Sequence, residues 1–451
     1  MHDRSGTGVV VLAGPGNNGG DACVVARVLR QRGLEVEVLG PPAASRLSAE
    51  ADAAWGAMRA AGVHEIRALP TRAPALIVDG LFGIGLARPI HEPWAQWVEW
   101  ANHAGAPILA LDIPSGLDAS TGVARAPAIA AAQTATFIAL KPGLVTGDGP
   151  DHCGAISVHD LGLDDVEAVR SGTWLTWSTL SADLPEILAR RRRATHKGSF
   201  GTLVIAGGAE GMVGAPLLAG RAALALGAGR VIVELIARDA PRVDSGAPEL
   251  MLREARLGLP HSSATAEGSS MVNTGSGWCA PGAQALVVGP GLGCGALAAG
   301  ILASAIAREV PLVLDADALN LIAQDAYLAD AIAARIAATI LTPHPAEAAR
   351  LLHCDTATVQ SDRVAAATAL ATRFRSTTVL KGVGSIVACP DGGFDINATG
   401  NPALSTAGSG DVLSGILGAL LAQRIAAADA ARIAVCLHGA AADALVTDGV
   451  G

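Results

Sequence analysis

The chain has 451 residues, of which 51% are hydrophobic and only 3% aromatic, and its formal net charge is -9 at pH 7. This length allows two or three domains with largely aliphatic cores. An acidic chain without a long basic run is not expected to have nucleic acid as its main partner, because binding to a phosphate backbone requires clustered Lys and Arg.

The cysteines and the apolar stretches indicate the compartment. The seven cysteines are scattered without a C-x-x-C pair, which is typical of reduced thiols in a reducing compartment. Residues 1–8 are polar, unlike a signal peptide, and the longest uncharged apolar stretches, such as 296–307, are too short to span a bilayer. We therefore expect a cytoplasmic protein without a membrane-spanning segment.

The first half alternates short apolar runs with helical patterns such as 22–31. The apolar runs lack polar alternation, which is typical of strands buried on both faces of a parallel sheet. Alternating strands and helices predict a doubly wound α/β domain. The predicted strands are Val9–Ala13, Val36–Leu39, Ala75–Val78, Ile108–Leu111 and Ala135–Leu140.

The first predicted strand runs directly into Gly14–Asp21, with the sequence GPGNNGGD. This run contains G-x-G-x-x-G between a strand and a helix, which is the fingerprint of a dinucleotide site and makes a dehydrogenase one candidate. The two amide side chains, Asn17 and Asn18, are unusual there, because small residues normally let the pyrophosphate approach the backbone.

A polar stretch ending in four arginines, Arg190–Arg193, separates the two halves of the chain. We interpret residues 1–165 as the first domain, 166–193 as a linker with a solvated arginine run, and 194–451 as the second domain. The Gly-, Ser- and Pro-rich stretch 243–284 predicts irregular structure.

The second half repeats the pattern of the first and ends in a predicted antiparallel hairpin, 385–388 with 394–396. Every predicted parallel strand but one is followed by glycine or a polar group. In an open parallel sheet ligands bind beyond the carboxyl ends of the strands, so these loops predict one polar rim. The loops are Gly207–Gly208, Gly289–Gly293, Asp315–Asp317, Thr342–Pro345 and Lys381–Gly382.

The segment Gly408–Asp411 (GSGD) leads into an apolar helix. Glycines at the start of a helix let several backbone N–H groups point at one anion, which the helix dipole also favours. Asp411 would repel that anion unless it is a base that takes a proton from an attacking hydroxyl. The alternative interpretation of Asp411 is a helix cap.

The chain contains no G-x-x-x-x-G-K-[ST] motif, and G-S-G-D resembles the anion hole of the ribokinase-like superfamily. As a set, the second-half motifs resemble the ADP-dependent NAD(P)H-hydrate dehydratase family over about residues 181–451. These motifs are HKGSFG (196–201), GAP (214–216), GPGLG (289–293), DADALN (315–320), TPHPAE (342–347) and NATGNP (397–402) with GSGD.

The dehydratase resemblance implies that ADP phosphorylates the hydroxyl of a hydrated nicotinamide, after which phosphate leaves to give NAD(P)H and AMP. It implies that Asp411 is the base, that Gly408, Ser409 and Gly410 form the anion hole, and that Mg²⁺ accompanies ADP. The implied hydrate-binding residues are Ala215, Gly291, His344 and Asp411; the implied nucleotide-binding residues are Lys381, Gly382, Val383, Gly384, Ser385 and Gly410.

In the first half, Gly14–Asp21, Val78–Leu86 and Leu111–Gly116 together resemble the NAD(P)H-hydrate epimerase family, which implies a Rossmann-like fold. The resemblance implies a K⁺ site at Asn18, Asp79 and Ser115, and proton transfer by Asp112, with Lys141 the weaker candidate. The implied hydrate-binding residues are Asn17, Asn18, Gly19, Gly20, Asp21, Gly83, Ile84, Gly85, Leu86, Ala87, Arg88, Pro89 and Asp112.

Epimerase domains of this family carry further residues before their first strand, and dehydratase domains carry a last segment that this chain lacks. By this resemblance the chain is truncated at its N-terminus and slightly at its C-terminus. Three alternatives follow for the N-terminus: the start is misassigned, the sequence is a fragment, or the epimerase half is impaired. The implied partners are the hydrates NADHX and NADPHX, ADP, and other copies of the same chain in a homo-oligomer.

Three alternatives remain open at this point. The first is a ribokinase-like small-molecule kinase with a non-catalytic nucleotide-binding N-terminal domain, which would accumulate a phosphorylated product. The second is an NAD-dependent dehydrogenase, which would transfer hydride without ADP. In the third, the first half is only a nucleotide-binding or interaction module, and replacing Asp112 would leave epimerisation unchanged.

Overall fold

The computed structural model describes residues 8–41, 47–86, 88–163, 172–187, 194, 196–257, 280 and 282–447. It divides the chain into two compact units, residues 1–170 and 171–451. Among the described residues, no helix is long and apolar enough to cross a membrane.

The first unit contains a seven-stranded, wholly parallel sheet in the order β3-β2-β1-β4-β5-β6-β7. Its strands are β1 Val9–Ala13, β2 Val36–Leu39, β3 His64–Ile66, β4 Leu76–Gly80, β5 Ile108–Leu111, β6 Gln133–Phe137 and β7 Ala155–His159. Its helices are α1 Asn17–Gln31, α2 Ala49–Ala60, α3 Trp94–His103 and α4 Gly149–Cys153.

The central strands of the first unit's sheet are buried on both faces, as the unbroken aliphatic runs predict. All five residues of β1 are buried, with Val9 and Val11 in one apolar cluster and Val10 and Leu12 in another. The predicted doubly wound α/β domain is therefore confirmed, and β1, β2 and β5 have the predicted bounds.

Two predictions in the first unit were wrong. The strand predicted at 135–140 is β6, which ends at Phe137 because Ile138 has a φ of 67°. Helix α1 begins at Asn17 and not at residue 22, so the NNGGD run is its first turn. Gly19 belongs there because a Cβ at this position would stand 1.8 Å from the Gly14 carbonyl oxygen.

The second unit contains a ten-stranded sheet in the order β11-β10-β9-β12-β13-β14-β15-β16-β17-β8. Only the β15–β16 and β16–β17 pairs are antiparallel, which confirms the predicted hairpin. The strands are β8 Gly172–Leu175, β9 Thr202–Gly207, β10 Arg230–Leu235, β11 Met251–Glu254, β12 Ala285–Val288, β13 Leu312–Leu314, β14 Thr339–Leu341, β15 Thr377–Leu380, β16 Ile386–Ala388 and β17 Phe394–Asn397.

Helices cover this second sheet. Helix α13 packs closely on α6, since a Cβ at Gly415 would stand 2.0 Å from the Ala219 carbonyl oxygen. The helices are α5 Trp177–Asp183, α6 Gly214–Ala225, α7 Ala296–Ile306, α8 Asp317–Gln324, α9 Ala326–Ala333, α10 Pro345–Leu352, α11 Thr356–Ser361, α12 Arg363–Phe374, α13 Ser409–Ala422 and α14 Ala427–Thr447.

The structure differs from the predicted linker over 166–193. Residues 172–183 of that stretch form β8, which pairs in parallel with β17, and α5, whose Asp183 forms an ion pair with Arg432 at 2.6 Å. They belong to the second unit because their partners are distant in sequence. The stretch predicted to be irregular contains β11, and the arginine run Arg190–Arg193 lies outside the described residues.

Candidate active sites

Five neighbouring parallel strands of the second unit, β9, β12, β13, β14 and β15, end at one edge of the sheet. The loops that follow them are the five loops that the sequence placed on one polar rim, so that prediction is confirmed. This edge also receives the first turn of α13, because Lys381 follows β15 and its Nζ lies 3.3 Å from where a Cβ on Gly410 would stand.

The glycines of the rim permit close backbone approaches. A Cβ on Gly289, which has a φ of 136°, would stand 1.8 Å from the Asp315 carbonyl oxygen. A Cβ on Gly291 would stand 2.7 Å from the Met212 carbonyl oxygen and 3.3 Å from the Ala215 Cβ. Ala215 and Gly291, two predicted hydrate-binding residues, are therefore neighbours.

Lys381 lies between two buried carboxylates. Its Nζ donates to Asp315 Oδ1 at 2.8 Å and lies 3.9 Å from Glu347 Oε2, while the Ser414 hydroxyl donates to Asp315 Oδ2 at 2.6 Å. Burial alone would lower the pKa of Lys381, but Asp315 and Glu347 together raise it. Burial opposes ionisation of Asp315, but Lys381 and Ser414 lower its pKa. The pair is therefore charged.

His344 and Glu347 form a capping box at the start of α10. His344 Nδ1 accepts from the backbone N–H groups of Ala346 at 3.1 Å and Glu347 at 3.4 Å, and Glu347 Oε2 accepts from the His344 N–H at 2.8 Å. His344 Nε2 lies 3.3 Å from Glu347 Oε1. These contacts assign the proton of a neutral ring to Nε2. Burial and the nearby Lys381 lower the pKa of His344.

The start of α13 places an acid beside this lysine. Gly408 precedes the helix with a φ of 93°, and a Cβ there would stand 2.7 Å from Leu218 Cδ1. Asp411 is half-buried in the first turn, and burial, followed by the charge of Asp315, raises its pKa to about 6. The helix thus offers backbone N–H groups and a carboxylate that exists in both protonation states near neutral pH.

The loop from Lys381 to Ser385 rests on a buried arginine. Arg363 is 2% exposed, donates to the Lys381 carbonyl oxygen at 3.3 Å, and has guanidinium atoms 2.8 Å from where a Cβ on Gly382 would stand. Gly382 has a φ of 137°, and the Ser385 hydroxyl donates to its carbonyl oxygen. Val383, between the glycines Gly382 and Gly384, is 58% exposed.

In the first unit, Asp79 lies at the carboxyl end of β4 and is fully buried. Its carboxylate accepts from the Ser115 N–H at 2.8 Å, from the Ser115 hydroxyl at 2.7 Å and from the Leu81 N–H at 3.2 Å. Burial raises the pKa of Asp79 to about 6, against the lowering effect of Ser115.

Asn18 lies in the same region with a side chain that is 8% exposed. Both its Oδ1 and its Nδ2 are buried without a hydrogen-bond partner among the described residues. A Cβ on Gly83 would stand 3.4 Å from Asn18 Cβ and 3.5 Å from Asp112 Oδ2, which brings these three positions together. An unpaired buried amide is costly, so a missing partner is expected there.

Asp112 follows β5 with a φ of 64° and binds Lys141. Lys141 Nζ donates to Asp112 Oδ1 at 2.6 Å, Thr136 Oγ1 at 2.9 Å and the Phe137 carbonyl oxygen at 2.6 Å. Burial, and then the charge of Asp112, raises the pKa of Asp21. The two carboxylates therefore face the same site.

The remaining predicted residues of the first unit surround these groups. The Ser48 hydroxyl, which caps α2, donates to Asn17 Oδ1 at 2.5 Å, and Gly20 packs against the backbone of Ala51. The loop after β4 has partly buried Gly83 and Leu86 and exposed Ile84, Gly85, Arg88 and Pro89, whereas Ala87 lies outside the described residues.

Sequence profiles of two families match the two units. One described as YjeF-related protein N-terminus matches residues 1–143, and one described as NAD(P)H-hydrate dehydratase matches residues 203–450. The chain is 40% identical over 438 residues to the bifunctional NAD(P)H-hydrate repair enzyme Nnr of Escherichia coli, covering 97% of this chain and 80% of that protein.

The chain belongs to the bifunctional NAD(P)H-hydrate repair enzyme family.

Further relatives in this repair enzyme family are the Nnr protein of Coxiella burnetii, 37% identical over 98% of this chain and 86% of that protein, and a Leishmania braziliensis repair enzyme, 38% identical over 97% and 81%. Among solved structures, the ADP/ATP-dependent NAD(P)H-hydrate dehydratase of Bacillus subtilis, co-crystallised with ATP/Mg²⁺, matches with a TM-score of 0.51 at 28% identity. The match covers 61% of this chain and 90% of that one and confirms the predicted fold class of the second unit.

Four residues that the structure places in the sites were assigned no function from the sequence. Asp315 and Glu347 lie in motifs that were recognised, and their position after a buried strand was the signal that could have identified them. Ser414 and Arg363 left no such signal, because their placement depends on how α13 and α12 pack. The HKGSFG motif precedes β9 and so lies at the opposite end of that strand from Gly207.

Proposed function

We propose that this chain repairs hydrated nicotinamide cofactors. The second unit performs ADP-dependent dehydration of (6S)-NAD(P)H hydrate, and the first unit interconverts the (6R) and (6S) epimers. The observation that carries the proposal is the placement of Lys381 beside Gly410 and Asp411, at the N-terminus of α13. It joins a cation, an anion-binding helix start and a base at one point.

The geometry supports phosphoryl transfer followed by elimination. Asp411 takes the proton of the substrate hydroxyl, whose oxygen attacks the β-phosphorus of ADP while the bond to the leaving AMP breaks. The backbone N–H groups of Gly408, Ser409 and Gly410 and the Nζ of Lys381 stabilise the charge on the transferred group. Loss of phosphate from the ring carbon, with a proton from the adjacent carbon, then restores the double bond.

The nucleotide is assigned to the loop of Lys381, Gly382, Val383, Gly384 and Ser385, with Gly410. The positive φ values of Gly382 and Gly384 and the buried Arg363 below Gly382 support a loop shaped for close approach by phosphate. Mg²⁺ would accompany the nucleotide and offset its charge. The hydrate is assigned to Ala215, Gly291 and His344, around Asp411.

The groups of the first unit fit K⁺ binding and epimerisation. Asn18 Oδ1 has no partner among the residues that the structure describes, and Asp79 and Ser115 supply further hard oxygen donors, which suit an alkali cation. Such a cation would neutralise the buried Asp79 and hold the Asn18 side chain. Asp112, oriented by Lys141, is the proposed proton-transfer group, and Asn17–Asp21 and Gly83–Pro89 are the proposed hydrate-binding segments.

Two further features are part of the proposal. We infer that the protein acts as a homo-oligomer, which light scattering of the purified chain measures directly. We also infer a cytoplasmic location, because scattered cysteines are typical of a compartment in which free thiols stay reduced. Cell fractionation tests this location.

The experiment that tests the function uses an equilibrated mixture of (6R)- and (6S)-NADH hydrate with Mg²⁺ and ADP, and follows the return of NADH absorbance. Conversion of nearly all the hydrate, faster than spontaneous epimerisation, is expected from two active units. Conversion of the S half alone would refute the epimerase assignment. No ADP-dependent recovery from folded protein, with a phosphorylated product instead, would replace the proposal by a small-molecule kinase.

A further inference from the structure

Glu347 is a buried carboxylate between the two proposed ligand sites of the second unit. Its side chain is 5% exposed and contacts His344 through both oxygens, and its Oε2 lies 3.9 Å from Lys381 Nζ. His344 belongs to the proposed hydrate site and Lys381 to the proposed nucleotide site. Glu347 therefore touches one residue of each site.

Both ring nitrogens of His344 already face partners within the protein. Nδ1 accepts from two backbone N–H groups, and the protonated Nε2 lies 3.3 Å from Glu347 Oε1. His344 therefore presents the edge and face of a fixed, half-exposed ring to a ligand, and the orientation of that ring depends on Glu347. Proton transfer by His344 is not required.

The contacts continue beyond Lys381. Lys381 Nζ binds Asp315 at 2.8 Å, and Asp315 accepts from Ser414 of α13 at 2.6 Å. His344, Glu347, Lys381, Asp315 and Ser414 thus form a continuous acid–lysine network from the loop after β14 to the helix that carries Asp411. Three of its five members, Glu347, Asp315 and Ser414, are at most 5% exposed.

We propose that Glu347 is a positioning residue that couples the two ligand sites, so that a bound nucleotide raises the affinity for the reduced cofactor. A nucleotide phosphate attracts Lys381 away from Glu347, and Glu347 is then left with the backbone N–H and the nearby ring Nε2–H of His344 as its partners. These contacts strengthen and hold the His344 ring in place for the second ligand. The proposal rests on the function assigned above.

The coupling is reciprocal, because each ligand must change the affinity of the other by the same factor. Isothermal titration calorimetry with the reaction products, NADPH and AMP, measures it without turnover when phosphate is omitted. We expect saturating AMP to tighten NADPH binding by about 5-fold or more in the full-length protein. The reverse titration must give the same factor.

The informative variant is Glu347→Gln. A carboxylate accepts at both oxygens, whereas an amide has one acceptor oxygen. The variant must therefore turn an NH₂ group toward either the backbone N–H or the ring Nε2–H of His344, both of which now face carboxylate oxygens. We expect both ligands to bind still and the coupling factor to fall to about one. Glu309→Gln, the same change at an exposed residue just before β13, is the matched control and should keep the wild-type factor.

The outcomes separate the inference from the function on which it rests. Coupling that persists in Glu347→Gln, or its absence in the wild-type protein, overturns the inference while leaving NADPH and AMP binding intact. Failure of the wild-type protein to bind either ligand overturns the proposed function itself. If Glu347→Gln does not fold, Glu347→Asp keeps the charge but shortens its reach to His344, and it must also reduce the factor.

Discussion

Two aspartates near Lys381 have pKa values shifted in opposite directions by their surroundings. Asp315, hydrogen-bonded to Lys381 and Ser414, has a lowered pKa, whereas burial and the charge of Asp315 raise that of Asp411 to about 6. A carboxylate with a lowered pKa is suited to hold a cation, and one near 6 is suited to accept a proton at neutral pH. The surroundings thus assign different roles to identical side chains.

The pH dependence of dehydration tests the role of Asp411. Because the base must be ionised, kcat/KM should rise with pH through about 6 and reach a plateau above it. Below that pH the rate should fall about tenfold per unit. Asp411→Asn should lower kcat by roughly 10²–10⁴-fold and remove the rise of kcat/KM with pH. Asp330→Asn, an exposed change on α9, is the control, and a flat profile between pH 5 and 8 would contradict the assignment.

Stability in K⁺ tests the cation site of the first unit. Burial raises the pKa of Asp79 in the folded protein above its usual 3.8 to about 6. Its ionisation therefore opposes folding, with a penalty that grows as pH rises from 3.8 to 6 and stays constant above. A bound cation offsets this penalty, so K⁺ should raise Tm more at pH 8 than at pH 5, compared with choline at equal ionic strength.

The neighbouring asparagines provide the matched variants for this measurement. Asn18→Ala removes the buried amide and should abolish the K⁺-dependent shift in Tm. Asn17→Ala removes an exposed amide that binds Ser48 and should leave the K⁺ shift in place. An equal K⁺ response in both variants would exclude Asn18 as a ligand.

At the scale of the elements, burial decides what the sequence could predict. Strands such as Val9–Ala13 and Ile108–Leu111 were predicted with their observed bounds because they are unbroken aliphatic runs. The edge strand His64–Ile66 was missed because it is exposed and polar. Gly172–Leu175 was missed because its partner, β17, is remote in the chain. Local patterns carry no record of such pairings.

The sites show the same division. Lys381 was placed on the rim because parallel topology brings strand ends together, whereas Asp79 and Asp112 were named from the resemblance to the epimerase family. The buried amide of Asn18, the arginine beneath Gly382 and the Ser414–Asp315 bond depend on helix packing, which the sequence does not specify.

Two of the three lysines, Lys141 and Lys381, bind carboxylates in the sites, whereas Lys197 is exposed.

The contact between α13 and α6 predicts an unusual effect of a helix glycine. Glycine to alanine normally stabilises a helix by about 1 kcal/mol, but at Gly415 the new Cβ meets the Ala219 carbonyl oxygen at 2.0 Å. Gly415→Ala should therefore destabilise the second unit by about 1–3 kcal/mol and slow dehydration, because α13 carries Asp411. Urea unfolding measures the change. Gly295→Ala, whose Cβ meets no atom of the described residues within 4 Å, is the control, and an equal or stabilising effect at Gly415 would contradict the packing.

At the scale of the whole molecule, the two proposed activities belong to separate compact units. The Asp112–Lys141 pair lies in the first unit and the Lys381–Asp315 pair in the second, and each contact described for a site joins residues of one unit. A substitution in one site should therefore leave the chemistry of the other intact.

This separation predicts complementation between two variants that each lack one of the two activities. With mixed hydrate and ADP, Asp112→Asn should convert the S half quickly and the rest only at the spontaneous epimerisation rate, while Asp411→Asn should give almost no NADH. A mixture of the two proteins should restore conversion of the whole hydrate pool, because the epimer released by one active site diffuses to the other. The NADH absorbance time course measures this. Restored conversion shows that free hydrate passes between molecules. A mixture no faster than Asp112→Asn alone would contradict the prediction in one of two ways: either epimerisation also requires Asp411, or the Asp112→Asn protein still epimerises the hydrate and Asp112 is not the proton-transfer group.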